Sequence, residues 1–195
     1  MSRIAIFGGT FNPLHIGHYQ IISELSNNDF IDKVIVIPTM IPPHKVCSEM
    51  ASAQDRLMMC RLACEDFKKV VVSDIEIKRQ GKSYSIDTVR ELKKLYPYDK
   101  FYLTVGGDML SSLDKWHKWQ ELIKEVSFIA FERKGTDSAE KSAQRMREYG
   151  ADINIIKADI ADISSTELRF KINRELLPEK VYMYIKERKL YSSGL

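Results

Sequence analysis

Apolar residues in this chain fall into short runs bounded by glycine, proline and charged positions, and the spacing inside each run separates strands from helices. Residues 3–7 read as a buried strand. Gly8 and Gly9 break that run, and Ile21, Ile22 and Leu25 resume at helical spacing as far as the polar Asn27, Asn28 and Asp29. Residues 32–38, with the apolar run Val34 to Ile37 at their centre, read as a buried parallel strand, so strand, helix and strand make a first parallel crossover unit. Pro42 and Pro43 then forbid regular structure. A covering helix is predicted over 53–67, with Leu57, Met58, Cys60, Leu62, Ala63 and Cys64 inward and Asp55, Arg56, Arg61 and Glu65 outward. Residues 70–73 read as a strand, with Ile75 and Ile77 as an alternating extension running to Gln80 and Gly81.

The second half repeats the alternation. Val89, Leu92 and Leu95 mark a helix with Ser85 as its cap, residues 100–105 a central strand, and Met109, Leu110 and Leu113 the helical spacing after it. Residues 126–131 read as a strand, 138–149 as a charged amphipathic helix and 153–156 as a last short strand. Helices opening near Ser164 and at Pro178 end the series. Strands alternating with helices predict an α/β fold: a Rossmann-like, doubly wound, mostly parallel sheet with helices on both faces. With 195 residues, no linker and no internal repeat, residues 1–195 fit one domain.

Composition narrows the function classes. A hydrophobic share of 44% and a charged share of 29% are those of a soluble globular protein. The net charge of +3 suits small phosphorylated substrates and lacks the clustered basic face of a nucleic-acid binder, so no nucleic-acid partner is expected. The first residues are too short an apolar run for a signal peptide, and no stretch suits a membrane span, which points to the cytoplasm with no membrane partner. Of three cysteines, Cys60 and Cys64 sit four apart on a helix and Cys47 in a loop; reduced thiols are expected, and no metal site in the protein itself.

Chemistry concentrates at the strand ends. A strand running through a glycine loop into a helix N-terminus gathers backbone N–H groups and the positive end of the helix dipole, which favours an anion. His15 and His18 lie three apart beside it. The stiff loop after Pro43 delivers His44 and Lys45. Gly81, Lys82 and Ser83 do not make a phosphate-binding P-loop, because Glu76 stands where that motif needs a glycine. Ser85 offers a hydroxyl and a free N–H to an acidic ligand. Asp108, just past a strand, suits a ribose hydroxyl or a helix cap. Trp116 and Trp119 read first as two core residues, and their spacing also allows one indole in the core and the other against a loop, where it could stack on a flat ring. Ser164 and Glu167 have capping-box spacing, and Arg169 follows.

The stretch Gly8-Gly9-Thr10-Phe11-Asn12-Pro13-Leu14-His15-Ile16-Gly17-His18 resembles the GxFxPxHxGH signature of the HxGH nucleotidyltransferases. Together with Pro42 to Lys45, Ser83 to Thr88, Gly106 to Asp108, Trp116 and Ile163 to Arg169, it resembles the bacterial nicotinate-nucleotide adenylyltransferases. That resemblance implies transfer of AMP from ATP to nicotinate mononucleotide, giving deamido-NAD and pyrophosphate in NAD biosynthesis, with Mg2+ carried by ATP. It implies His15, His18, Lys45 and Arg169 as catalytic residues, assisted by the Gly8, Gly9, Thr10 and Phe11 loop. Adenosine falls to Gly106, Asp108 and the Ile163, Ser164, Ser165 and Arg169 segment. The nicotinate nucleotide falls to Lys45, Ser85, Trp116 and His117. Asn12, Ser85 and His117 depart from the commoner aspartate, threonine and tyrosine. Other readings are a different HxGH adenylyl- or cytidylyltransferase, or a nucleotide-binding regulator without turnover. A homo-oligomer is compatible with all of them.

Overall fold

The computed structural model describes residues 1–43, 50–133 and 138–191. Six strands form one parallel sheet: β1 (Arg3–Gly9), β2 (Lys33–Pro38), β3 (Val70–Val72), β4 (Lys100–Gly106), β5 (Ser127–Arg133) and β6 (Ile153–Ala158), in the order β3-β2-β1-β4-β5-β6. Each strand is fed by a crossover, and the order reverses between β1 and β4, as a doubly wound sheet requires.

Alternation along the strands divides the core in two. Ile4 and Ile6 of β1, Ile35 and Ile37 of β2 and Leu103 and Val105 of β4 join one cluster, whereas Ala5, Phe7, Val34 and Val36 join the other. Against the first cluster pack α3 (Ile75–Arg79), α4 (Ser85–Leu95), α5 (Gly107–Leu110), α6 (Trp119–Glu125) and α7 (Ser138–Glu148). Against the second pack α1 (Ile16–Asn27), α2 (Ala53–Cys64), α8 (Ser165–Phe170) and α9 (Glu179–Glu187). On α1, Ile22 and Leu25 are fully buried, each contributing roughly 1.5–3 kcal/mol over an exposed position.

Several expectations are corrected. The extension expected over 75–80 is the short helix α3, in which Ile75, Glu76 and Ile77 are all buried. Three consecutive buried residues between β2 and α4 look like alternation when only the two isoleucines count as apolar. On α2 Leu57, Cys60, Ala63 and Cys64 are buried as expected, but Asp55 and Arg56 are inside as well and Met58 is 38% exposed. Ser85 is the first residue of α4 rather than its cap; Tyr84 holds the cap position without a side-chain bond. The last strand continues to Ala158, and α6 is a helix that the spacing did not predict. Trp116 and Trp119, by contrast, are both half-buried against the same core cluster, as the reading of the pair as core residues expects.

Candidate active site

The pairing of β1 with β4 stops at Ile6 and Leu103, whereas β1 stays paired with β2 as far as Gly9 and Pro38. The two central strands therefore part near their carboxyl ends, and a crevice opens at the point where ligands of doubly wound sheets bind. Gly8, Gly9 and Thr10 lie on one side of it and Gly106 on the other.

His15 is the N-cap of α1 and His18 its third residue, and they cap each other. His15 Nδ1 accepts the His18 N–H at 3.4 Å, and His18 Nδ1 accepts the His15 N–H at 3.3 Å. This is the reciprocal geometry of a capping box with imidazoles in place of hydroxyl and carboxylate. The rings stack with centroids 3.7 Å apart at 23°, and His18 meets the buried Phe11 ring edge-on at 5.1 Å. A ring that accepts at Nδ1 carries its proton on Nε2, so each imidazole presents an Nε2–H donor. Burial lowers the pKa of His15 to about 4, so it stays neutral at pH 7 and donates as an imidazole.

Arg169 ties the far end of the chain to this loop. Its buried guanidinium donates to the Asn12 carbonyl at 3.0 Å, the Ser165 carbonyl at 3.1 Å and Thr166 Oγ1 at 3.2 Å. No carboxylate among the described residues pairs with it. A buried cation facing only neutral acceptors leaves a positive potential that an anion would balance. The preceding segment closes on α1 as well. Ala161 donates its N–H to Gln20 Oε1 at 2.8 Å, and a Cβ on Gly17 would lie 2.7 Å from the Ala161 carbonyl, so only glycine permits this approach. Ile163 packs on the adjoining core, and Ser164 caps α8 by accepting the Glu167 N–H at 3.3 Å.

Gly106 caps α5, and the exposed Asp108 folds its carboxylate back over it; a Cβ on Gly106 would stand 2.5 Å from Asp108 Oδ1. The structure also joins the two stations expected for the nicotinate nucleotide. The His117 ring lies against that of Tyr84, the residue before half-buried Ser85, with centroids 4.2 Å apart and a tilt of 32°, while Trp116 packs partly into the core. His44 and Lys45 lie outside the described residues. A recess of about 420 Å³ lined by Trp119, Ile123, Lys124 and Tyr149 contains none of the residues predicted for either substrate.

Four residues, Arg56, Asn12, Tyr191 and Glu76, hold the site in ways that the sequence reading missed. Arg56 is fully buried and donates to the Thr10 carbonyl at 2.8 Å and the Met40 carbonyl at 3.2 Å, pinning the β1 and β2 loops. Its signal was available, since Arg56 lies four residues before buried Cys60 and so shares its helix face. Asn12 Oδ1 accepts the Ala51 N–H at 3.0 Å and the Tyr191 hydroxyl at 2.6 Å, so the end of the chain also braces the histidine loop. Contacts such as these, across 39 and 179 residues, leave no local mark in a sequence. Glu76 is the fourth, with its carboxyl buried behind the turn that carries Ser85.

Comparison with known proteins bears on family and fold. The cytidylyltransferase-like family matches residues 6–171. A probable nicotinate-nucleotide adenylyltransferase of Oceanobacillus iheyensis is 38% identical over 100% of this chain and 99% of its own length. One from Desulfitobacterium hafniense is 38% identical over 97% and 96%. In fold, the nicotinic acid mononucleotide adenylyltransferase of Plasmodium falciparum complexed with APC superimposes with a TM-score of 0.79 at 21% identity, over 98% of both chains. With that match running nearly end to end and the paired histidines set at the switch point of the sheet, the chain belongs to the nicotinate-nucleotide adenylyltransferases of the cytidylyltransferase-like family.

Proposed function

We propose that this chain transfers the adenylyl group of ATP to nicotinate mononucleotide. A phosphate oxygen of the mononucleotide attacks the α-phosphorus of ATP, the bond to the β-phosphate oxygen breaks, and deamido-NAD and pyrophosphate leave. The observation that carries this reading is the buried Arg169 guanidinium on the Asn12 carbonyl, which brings a cation that no carboxylate among the described residues pairs to the capped N-terminus of α1. The relatives that share the chain's full length are named for this activity, and the Plasmodium falciparum enzyme has also been solved complexed with NaAD.

The attacking phosphate is already an anion and needs no strong base. The residues therefore have to align it and balance the charge that spreads over the transferred group. His15 and His18 offer Nε2–H donors, Arg169 a fixed positive charge, and Lys45 a second cation in the reading from the sequence. The Gly8 to Phe11 loop and the Ser164 to Thr166 turn supply further donors. Magnesium enters with the substrate as Mg-ATP, since the groups at this pole are N–H donors and cations, which suit phosphate oxygens. Gly106, Asp108 and Ile163 take the adenosine side, and Ser85, Trp116 and His117 the nicotinate side. A cytoplasmic setting belongs to the same reading, in keeping with the free buried thiols of Cys60 and Cys64.

The test supplies Mg-ATP with nicotinate or nicotinamide mononucleotide and measures pyrophosphate and dinucleotide. Turnover with marked preference for the acid is expected. Equal rates would remove the carboxylate pocket from Ser85 and His117, and no turnover with nucleotide still bound would make the chain a regulator.

A further inference from the structure

The peptide group between Thr10 and Phe11 is held in an orientation that a strand would not give it. β1 ends at Gly9, whose carbonyl accepts the Thr39 N–H at 2.9 Å and so points toward the end of β2. In a regular strand the next carbonyl would point the other way. Instead the Thr10 carbonyl turns to the same side, where Arg56 Nη1 donates to it at 2.8 Å while Nη2 donates to the Met40 carbonyl at 3.2 Å and Nε to the Ala51 carbonyl at 3.3 Å. The chain absorbs the change at Phe11, whose φ of 47° lies in the left-handed region that a residue with a side chain rarely adopts.

A trans peptide directs its N–H opposite to its carbonyl, and the bonds from Gly9 to Thr10 and from Thr10 to Phe11 are both trans. The Thr10 and Phe11 N–H groups therefore point together, away from β2 and toward the side on which β4 parts from β1 and the crevice opens. Among the described residues neither N–H has an acceptor. Two successive N–H groups aimed the same way make a concave site for an anion. The Arg56 guanidinium is itself fully buried, so what it supplies to this site passes through the backbone. An apolar side chain would fill its space without the cost of desolvating a cation. What the planar fork adds is direction, since it fixes carbonyls of three separate segments relative to one another.

We infer that Arg56 is a positioning residue for the adenylyl transfer: by holding the Thr10 carbonyl it keeps the Thr10 and Phe11 N–H groups preorganised as a pair of donors to the phosphate whose charge spreads during the reaction. This rests on the function proposed above.

The test uses the full chain with Arg56→Lys and Arg56→Met, and with Ile185→Ala, which truncates a fully buried side chain of α9, as a control for lost stability. kcat and both KM values are measured below each melting temperature, and protein labelled with 15N at threonine and phenylalanine reports the Thr10 and Phe11 amide protons as Mg-ATP is added. In the wild type both amide protons should move downfield, as donors to phosphate do. Arg56→Lys keeps a cation but not the fork, so it misaligns the donors without removing them. Its kcat should fall about ten- to a hundredfold, short of the 10²–10³ for a donor lost outright, with both KM values within about threefold and the two amide shifts at most half as large. Arg56→Met should fall at least as far, and Ile185→Ala should melt lower with kcat within about twofold. Wild-type kcat in Arg56→Lys overturns the inference, as does an equal loss of kcat in Ile185→Ala, or amide protons that stay in place when the wild type binds Mg-ATP. If neither Arg56 variant folds, the wild-type amide shifts decide it. If the wild type binds Mg-ATP without turnover, the proposed function fails while the amide shifts of wild type and variants still decide this inference. If it turns over and the amides stay in place, the inference alone fails; if it neither binds nor turns over, both fall.

Discussion

Replacing His15 by asparagine separates two jobs that one imidazole does. As N-cap, its Nδ1 accepts the His18 N–H at 3.4 Å, and asparagine Oδ1 is among the best acceptors for that position. In the proposed role as a donor to phosphate it would use Nε2–H, which asparagine cannot place at the same reach. His15→Ala loses both. The cap is worth about 1 kcal/mol, and the buried ring, stacked on His18 at 3.7 Å, adds about as much again. At roughly 2–4 °C per kcal/mol for a chain of this length, His15→Ala should melt about 4–8 °C below the wild type and His15→Asn about half as far. In catalysis the two variants should be alike. Removing one preorganised donor costs about 10²–10³ in kcat, so both should fall by that factor with Mg-ATP and nicotinate mononucleotide saturating. The assay pairs thermal melts with initial rates of pyrophosphate release. His15→Asn turning over at near wild-type rate would refute the donor role, and His15→Asn melting as low as His15→Ala would refute the cap.

Three further outcomes follow from the same contacts. Burial holds the folded pKa of His15 near 4, below its unfolded value of about 6.5, so its contribution to stability is complete above pH 6.5 and is lost as pH falls toward 4. Between pH 7 and 5 the wild type should lose about 2 kcal/mol that His15→Asn does not, read by denaturant unfolding at both pH values; equal losses would show the ring titrating normally. Trp116→Ala should raise the KM for the mononucleotide while leaving that for ATP in place, and an unchanged KM would make the half-buried indole a core residue only. Tyr191→Phe takes one donor from Asn12 Oδ1 but leaves the Ala51 N–H there, so it should cost about 1 kcal/mol and 2–4 °C in melting temperature, and an unshifted melt would remove the end of the chain as a brace.

The legible part of this molecule was whatever is local in sequence. The six strands and the capped helix after β1 follow from runs and breaks, and His15, His18 and the Ser164 cap follow from spacing within a single turn. Error entered where a polar residue is buried. Glu76 between two isoleucines turned a short helix into an expected strand, and on α2, where Leu57, Cys60, Ala63 and Cys64 are buried as expected, Asp55 and Arg56 were placed outside. In each case the burial is compensated by partners far along the chain, Thr88 for Glu76 and the Thr10 and Met40 carbonyls for Arg56, so hydrophobicity was a misleading guide to the inside. The hub at Asn12 is the extreme case, drawing on Ala51, Arg169 and Tyr191, and only the assembled sheet brings these together.

The most direct measurement is the affinity of Arg169→Met for Mg-ATP by titration calorimetry, made below the melting temperature of the variant. If the guanidinium and the histidine-capped helix face one triphosphate, binding should weaken tenfold or more, roughly the worth of a charge-assisted contact. Wild-type affinity in the folded variant would mean that this cation only braces the Asn12 loop, and would contradict the account.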